Sequence, residues 1–539
     1  MSRASAKSSS HNRHTLIEVV TRIKQRLGTR HCFKMDSPSS PVQLMSTFLK
    51  STEIQVGMIT FMVSLLAIKA MNKMTSDLKP PPPGPWGFPV LGHLPLLGKD
   101  PYVTFMRMRE RFGNIFKIQM GSWSAVVVNG KQAIREALLN SRDDYDGRPQ
   151  FMSAKLLSNG QSIAFGKYDE TWKLHRKLTN RVLTEFSNAK LNPIEDMVHE
   201  EVDIIVNDFM SMQGAAFNPR NYVYLSVGSV IFQLCYGRQQ NLRENKDFTE
   251  FMLNSAAFSE FVSAGNPVDV MPWLRFLMPW KLKQFRTLIE ASSNASQKKI
   301  QEHNSTFSSD NMRDITDRLL SVIEETPKLS QERILKTIND LFGAGFDTTA
   351  STIYWMLLLM AANPQVQRRV QIELDDVVGC GRRPSILDRG QLVYTAAVLH
   401  EVNRFVSLAP LSLPHFTTSD TSLGGYSINK NTVVFINLYS MSHDPEVWGD
   451  PHVFRPERFL DSSGEINKSL LEEFLSFSIG RRRCLGESLA RNQLFLFFTG
   501  ILQKCSIVQP PEVGEYSMGV ISGLTRQCEP YQVQVQLRT

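Results

Sequence analysis

The residue best placed to do chemistry in this 539-residue chain is Cys484, in the run Phe477-Ser-Ile-Gly480-Arg-Arg482-Arg-Cys484-Leu-Gly486. The other cysteines (Cys32, Cys235, Cys380, Cys505, Cys528) form no CxxC pair and no zinc spacing, so they read as free thiols of a reducing compartment. Cys484 differs by its surroundings. A thiolate that ligates iron needs a loop whose backbone amides donate to the sulfur and set its basicity. Gly480 and Gly486 permit tight turns and the close approach of a flat macrocycle. Arg482 offers a cation to a carboxylate of that macrocycle, while Arg481 and Arg483 raise the thiolate fraction of Cys484. The competing reading is a buried structural cysteine beside an exposed basic run. Chance would assemble the five fixed positions in only about one in several thousand chains of this length.

An iron site needs elements to position it. The longest helical pattern runs over Gln331–Asn363 and stops at Pro364; it would reach about 50 Å through the middle of a large domain. Near its centre stand Ala344-Gly345-Phe346-Asp347-Thr348-Thr349. A helix interrupted by small residues leaves room for a gaseous ligand, and an acid with a neighbouring hydroxyl can relay protons through water. Gly343 and Gly345 each cost about 1 kcal/mol against alanine, so they call for a reason. Glu401 and Arg404 share one face of a helical stretch over Val393–Phe405. Strand-like runs occur at Ile115–Met120, Ala125–Val128 and Thr432–Asn437. The fold class is therefore mainly α with small β-sheets, the site lying between the long central helix and the cysteine loop.

The cysteine loop resembles the signature of the cytochrome P450 superfamily, and other segments carry the resemblance further in the same order. Trp172-Lys-Leu-His-Arg176 resembles a WxxxR whose indole and guanidinium hold a haem propionate, and His415 resembles a further propionate partner. Ala344–Thr349 resembles the oxygen-activating motif. Glu401, Arg404 and Arg458 (in Pro456-Glu-Arg458-Phe) resemble a structural Glu–Arg–Arg network that shapes the ligand loop. The resemblance covers residues 80–539. It implies a haem-thiolate monooxygenase with haem b, Cys484 on the iron, Asp347 and Thr348 catalytic, and Trp172, Arg176, His415, Phe477, Gly480, Arg482 and Gly486 around the cofactor. No flavin or nicotinamide fingerprint is present, so NADPH and flavins enter only through a reductase partner. Lys173, Lys177, Arg181, Arg481 and Arg483 are the cations expected to meet NADPH–cytochrome P450 reductase, with cytochrome b5 as a further partner.

Within the superfamily, Leu485-Gly486-Glu487 after the cysteine looks microsomal. Lys79–Gly92, Gly147-Arg-Pro, Asn159–Ser162, Gly265-Asn-Pro267 and Asp340–Thr348 look like vertebrate family one, which oxidises planar aromatic xenobiotics and also steroids, retinoids and fatty acids. That implies a substrate pocket of Ala344, Gly345, Phe346 and Phe258, whose rings would stack on flat molecules. Ala154 departs from the pattern, since better-known members carry phenylalanine there; the expectation is a wider pocket for bulkier substrates. Two rival readings stay open: a haem-thiolate isomerase or dehydratase, against which Asp347-Thr348 speaks, and a non-catalytic haem sensor, against which an apolar pocket with an intact relay speaks.

Charge and hydropathy organise the amino end. The chain carries +8 overall, but residues 1–53 hold nine basic against three acidic residues, leaving a near-neutral body that excludes a nucleic-acid surface. Residues 1–50 form a basic extension, disordered or upstream of the functional start. Residues 51–71 read as a signal anchor around the uncharged Ile54–Ile68, whose alternative is a buried helix. Residues 72–89 form a proline-rich linker with Pro80–Pro85 as a stiff spacer, and 90–539 the catalytic domain. With translation from Met35 the charge upstream of the anchor becomes negative, and the positive-inside rule turns the body to the cytosol. The expected location is the endoplasmic reticulum membrane, facing the cytosol; the basic amphipathic stretch through Leu16, Val20, Ile23 and Leu27 keeps a mitochondrial address as the alternative.

Overall fold

The computed structural model describes residues 56–57, 59–65, 79–187, 193–263, 266–308, 310–324, 326 and 329–538. The chain divides into two compact units, Met1–Asp77 and Leu78–Thr539. In the first, the described residues 56–57 and 59–65 are helical and exposed. Most of the expected anchor at 51–71, and all of the basic extension, lie outside the described residues; among those described, no helix is long and apolar enough to cross a membrane.

The second unit is built on one helix, Gln331–Ala362. Residues Thr349–Ala361 are buried in an unbroken run, as a helix requires when neighbours cover every face. Its neighbours are the helices Arg220–Tyr236, Glu487–Lys504 and Val393–Val406. The helix ends where anticipated, because Pro364 begins the next helix, Pro364–Val377. One expectation fails: the small residues do not interrupt it. The Ala344–Thr349 stretch is regular α-helix. Thr348 Oγ1 donates to Ala344 O at 2.6 Å and Thr352 Oγ1 to Thr348 O at 2.8 Å, so the hydroxyls fold back on their own helix.

The three anticipated strands form, as Ile115–Met120, Trp123–Asn129 and Val433–Asn437. They join His415–Phe416 in a four-stranded sheet. The first pair is antiparallel, Trp123–Asn129 runs parallel to Val433–Asn437, and His415–Phe416 closes the sheet antiparallel to it. All five residues of Val433–Asn437 are buried, which is why Val433-Val-Phe-Ile436 reads as a continuous apolar run without alternation. Among the described residues all cysteines are free thiols.

Candidate active site

A cavity of about 330 Å3 separates the cysteine loop from the long helix. Phe477, Cys484 and Gly486 line one side; Ala344, Gly345 and Thr348 line the other. The loop is held by Cys484 N–H donating to Phe477 O at 3.0 Å. Gly480 is there for two reasons: its φ of +79°, and a Cβ that would lie 2.4 Å from Leu138 O. Gly486 has an ordinary φ of −83°, so its value is not the turn expected of it; its N–H points at the Cys484 sulfur. The Cys484 side chain is enclosed by protein but accessible on the cavity side. Burial pushes its thiol up, while the Gly486 amide and the cations Arg176 and Arg491 pull the other way. Arg176 and Arg491 thus join the adjacent arginines as cations near the thiol. Arg481 is engaged by Asp143 and Tyr168, and Arg483 is exposed.

Three guanidiniums gather at the cavity edge. Arg482 donates to the carbonyls of Asp146 (2.9 Å), Ile163 (3.1 Å) and Gly166 (2.9 Å) and lies 3.8 Å over the Trp172 ring. Arg148 donates to Ala164, Leu413 and Pro414 carbonyls, each at 3.0 Å. Arg176 donates to Arg483 O. The Trp172 indole N–H is taken by Ile163 O at 3.0 Å. His415 is buried in its strand with Nδ1 2.9 Å from Tyr145 O; burial, then Arg148, holds the ring neutral. Burial lowers all three arginines, and they repel one another. Asp146 is the carboxylate among them, itself raised to about 6 by burial against the pull of Arg482, Arg481 and Arg148.

Such a surplus of buried positive charge beside a cavity calls for anions. Each guanidinium has five N–H groups, and the carbonyls take three from Arg482. The donor set therefore fits a flat, dicarboxylate macrocycle with its acids at this edge and its metal at the thiol. Arg148 escaped sequence reading: nothing in Gly147-Arg-Pro distinguishes it until the fold brings it here. So did Asp340, whose Oδ2 accepts from Ile163 N (2.7 Å) and Ala164 N (3.2 Å). Through this clamp the long helix holds the very segment whose carbonyls restrain Arg148, Arg482 and Trp172. Burial raises Asp340 to about 6.

The other site residues divide. Thr348 faces the cavity. Asp347 is not among its lining residues; its carboxylate accepts from Thr525 Oγ1 (3.4 Å) and Gln527 Nε2 (3.3 Å), and Arg220 Nη2 donates to Gln527 Oε1 at 3.1 Å. Of the expected substrate pocket, Ala344 and Gly345 line the cavity, whereas Phe258, Phe346 and Ala154 do not. Phe258 stacks on Phe285 at 6.0 Å, and Phe346, 2% exposed, packs on Phe342 and Tyr224. Ring-on-ring packing takes up both, Phe346 inside the helical core and Phe258 half-buried against Phe285.

Glu401, Arg404 and Arg458 form one buried network: Arg404 makes a two-pronged pair with Glu401 at 2.7 and 2.8 Å, and Arg458 Nε reaches Glu401 Oε1 at 3.2 Å. Of the five cations expected on the docking face, Lys173 pairs with Glu170, Arg181 lies 4.0 Å from Glu185, and Arg481 pairs with Asp143. Lys177 and Arg483 are exposed.

The family profile described as Cytochrome P450 matches residues 81–535. Cytochrome P450 1A1 of Macaca mulatta and of Homo sapiens are each 37% identical to the chain over 508 residues, covering 90% of it and 99% of their own length. Cytochrome P450 1A2 of Oryctolagus cuniculus is 37% identical over 516 residues, covering 92% and 98%.

Proposed function

Since the chain belongs to the cytochrome P450 family and is a monooxygenase, we propose that it inserts one atom of dioxygen into hydrophobic small molecules, with Cys484 as the ligand of a haem b iron. The observation that carries this reading is the accessible thiol facing Thr348 across a cavity whose edge holds Arg148, Arg176 and Arg482. When bound, the haem supplies the binding and reductive activation of dioxygen. The chain's own residues do the rest. The three arginines would hold the carboxylate edge, and Trp172, whose indole N–H is spent on Ile163 O, would serve as the surface beneath Arg482 rather than as the donor expected of it. The Gly486 amide and the charge of Arg176 and Arg491 stabilise the thiolate. Ala344 and Gly345 would leave room for dioxygen and substrate on the helix side of the cavity.

Protons reach the cavity from behind the helix. Asp347 takes them on the Gln527 and Thr525 side, water carries them to Thr348, and the Thr348 hydroxyl, turned from Ala344 O, presents them on the cavity side. Thr348→Val is expected to keep the thiolate spectrum while product formed per NADPH consumed falls at least about 10-fold, with hydrogen peroxide making up the difference. Gln527→Leu should give a smaller loss with an enlarged solvent isotope effect. Stoichiometry of NADPH, peroxide and product checks both; unchanged coupling in Thr348→Val would remove the relay.

Electrons come from NADPH through a flavoprotein reductase, with cytochrome b5 as an accessory donor. Since three of the five basic residues on that face have acidic neighbours, Lys177 and Arg483 carry most of the attraction. The catalytic body faces the cytosol from the endoplasmic reticulum membrane on the anchor at 51–71, with Met35 as the functional start; the basic extension keeps a mitochondrial address as the alternative.

For substrate, the lining is aliphatic through Ile163, Ile231, Leu341, Val406, Leu408 and Leu413, and among the described residues Phe477 is its only ring. This favours bulky xenobiotics, steroids, retinoids or fatty acids over strictly flat polycycles. Because Ala154 does not line the cavity, Ala154→Phe is expected to leave the ratio of planar to bulky substrate turnover within about 2-fold of wild type; a rise of roughly 10-fold would put residue 154 in the substrate path. The deciding test of the whole reading is the carbon monoxide difference spectrum of the reduced protein, whose red-shifted Soret band requires a thiolate. Its absence in folded, haem-loaded protein overturns the proposal.

A further inference from the structure

The helix that carries Trp172 and Arg176, Glu170–Ser187, also buries a histidine that the mechanism does not use. His175 is 4% exposed, and its Nε2 lies 2.6 Å from Thr337 Oγ1 on the long helix. Thr337 already donates its hydroxyl hydrogen to Arg333 O at 2.7 Å, so its oxygen can only accept from the ring. Nε2 therefore carries the proton and Nδ1 is a bare acceptor. Burial, then the nearby charge of Arg333, pushes the imidazole down to about 4, consistent with a neutral ring.

Nδ1 has no hydrogen-bond partner among the described residues, and neither do Thr179 Oγ1 and Arg333 Nη1. All three residues line one small cavity of about 10 Å3, walled otherwise by Leu178, Leu319, Val322, Leu329 and Ile334. Thr179 is 1% exposed. Three unpartnered buried polar atoms on residues that share one small cavity are the mark of a site built for something polar.

We propose that this chamber binds a single water molecule and is a station on a polar passage from the Arg333 side of the protein into the main cavity. The space suits one water and nothing larger. The chemistry matches as well: the water donates to His175 Nδ1, accepts from Arg333 Nη1 and makes a third bond with Thr179 Oγ1, the usual number for a buried water. Thr337 lines both this chamber and the main cavity, so its hydroxyl is the shared wall. Turning that hydroxyl away from Arg333 O hands a hydrogen bond to the main cavity. Arg333 is half-buried, one turn nearer the helix start, where Glu332 is exposed and meets Gln161. The remaining walls are aliphatic, so this polar seam is the route open to water. The water site stands by itself; the passage rests on the main cavity being the haem site.

The test is a crystal structure of the haem-loaded full chain with its waters resolved, together with proton relaxation of bulk water by the ferric iron in the wild type, Thr337→Val and Arg333→Leu. The expected density is one peak within hydrogen-bonding distance of His175 Nδ1, Arg333 Nη1 and Thr179 Oγ1. No peak, or rotamers in which these atoms find protein partners, overturns the site. Water exchange with the iron is expected to slow several-fold in both variants, and unchanged relaxation in both overturns the passage. A wild type without the thiolate carbon monoxide band overturns the haem-thiolate reading instead, and the density still decides the water site.

Discussion

Cys484→Ser is expected to abolish the red-shifted carbon monoxide band and all NADPH-supported oxygenation, while leaving a folded protein. A serine hydroxyl at this position is neutral at physiological pH and cannot replace a thiolate that donates electron density to iron. The loop does not depend on sulfur for its shape: Cys484 N–H to Phe477 O, and the Gly480 conformation against Leu138 O, are backbone features that serine retains. Far-UV circular dichroism and the unfolding midpoint of the apoprotein should therefore stay near wild type. Haem binding weakens without vanishing, because Arg148, Arg176 and Arg482 still meet the carboxylates. A Cys484→Ser protein that kept the red-shifted band would mean that another residue ligates the iron.

The second large effect is on stability. Arg404→Ala is expected to cost about 3–5 kcal/mol, a large part of the roughly 5–15 kcal/mol that holds a domain folded. Arg404 and Glu401 are both fully buried. The guanidinium uses all five N–H groups: two on Glu401, two on the Ser442 and Pro451 carbonyls, and a longer one at 3.4 Å to Val453 O. Glu401 Oε1 in turn accepts from Arg455 N at 2.9 Å and from Arg458 Nε. Deleting Arg404 strands buried acceptors across the segment Ser442–Arg458. Arg404→Lys keeps the charge but cannot reproduce the fork, so it recovers only part of the loss. Guanidinium unfolding followed by circular dichroism and haem absorbance measures both. A midpoint for Arg404→Ala within about 1 kcal/mol of wild type would mean that the network is not structural.

Legibility differed by physical kind. The long helix, the Val393–Val406 helix and the three longest strands could be read because hydrophobic period and terminating proline act locally. The helix interruption at Ala344–Thr349 was misjudged, since the threonine hydroxyls bond back into the ladder and keep it regular. Phe258 and Phe346 are placed in the pocket by resemblance alone, and resemblance does not say which partner each ring packs against. Arg148, Asp340 and Gln527 were invisible, because each draws its meaning from backbone or side chains over one hundred positions away or from a loop with no motif of its own.

The sequence by itself pointed to the chemistry, since a cysteine in that glycine- and arginine-rich setting, with an acid–hydroxyl pair on a long helix, suits the needs of a thiolate-bound iron. It also made the Glu401–Arg404 pairing possible, since a spacing of three on a helix puts both side chains on one face, while their burial and the addition of Arg458 came from the fold. Tertiary structure alone decided which cations bear on Cys484, that Thr348 faces the cavity while Asp347 turns to Thr525 and Gln527, and that Phe477 is the only ring among the described residues lining the cavity. Those are matters of distance and burial between elements far apart in the chain, and no local rule of spacing contains them.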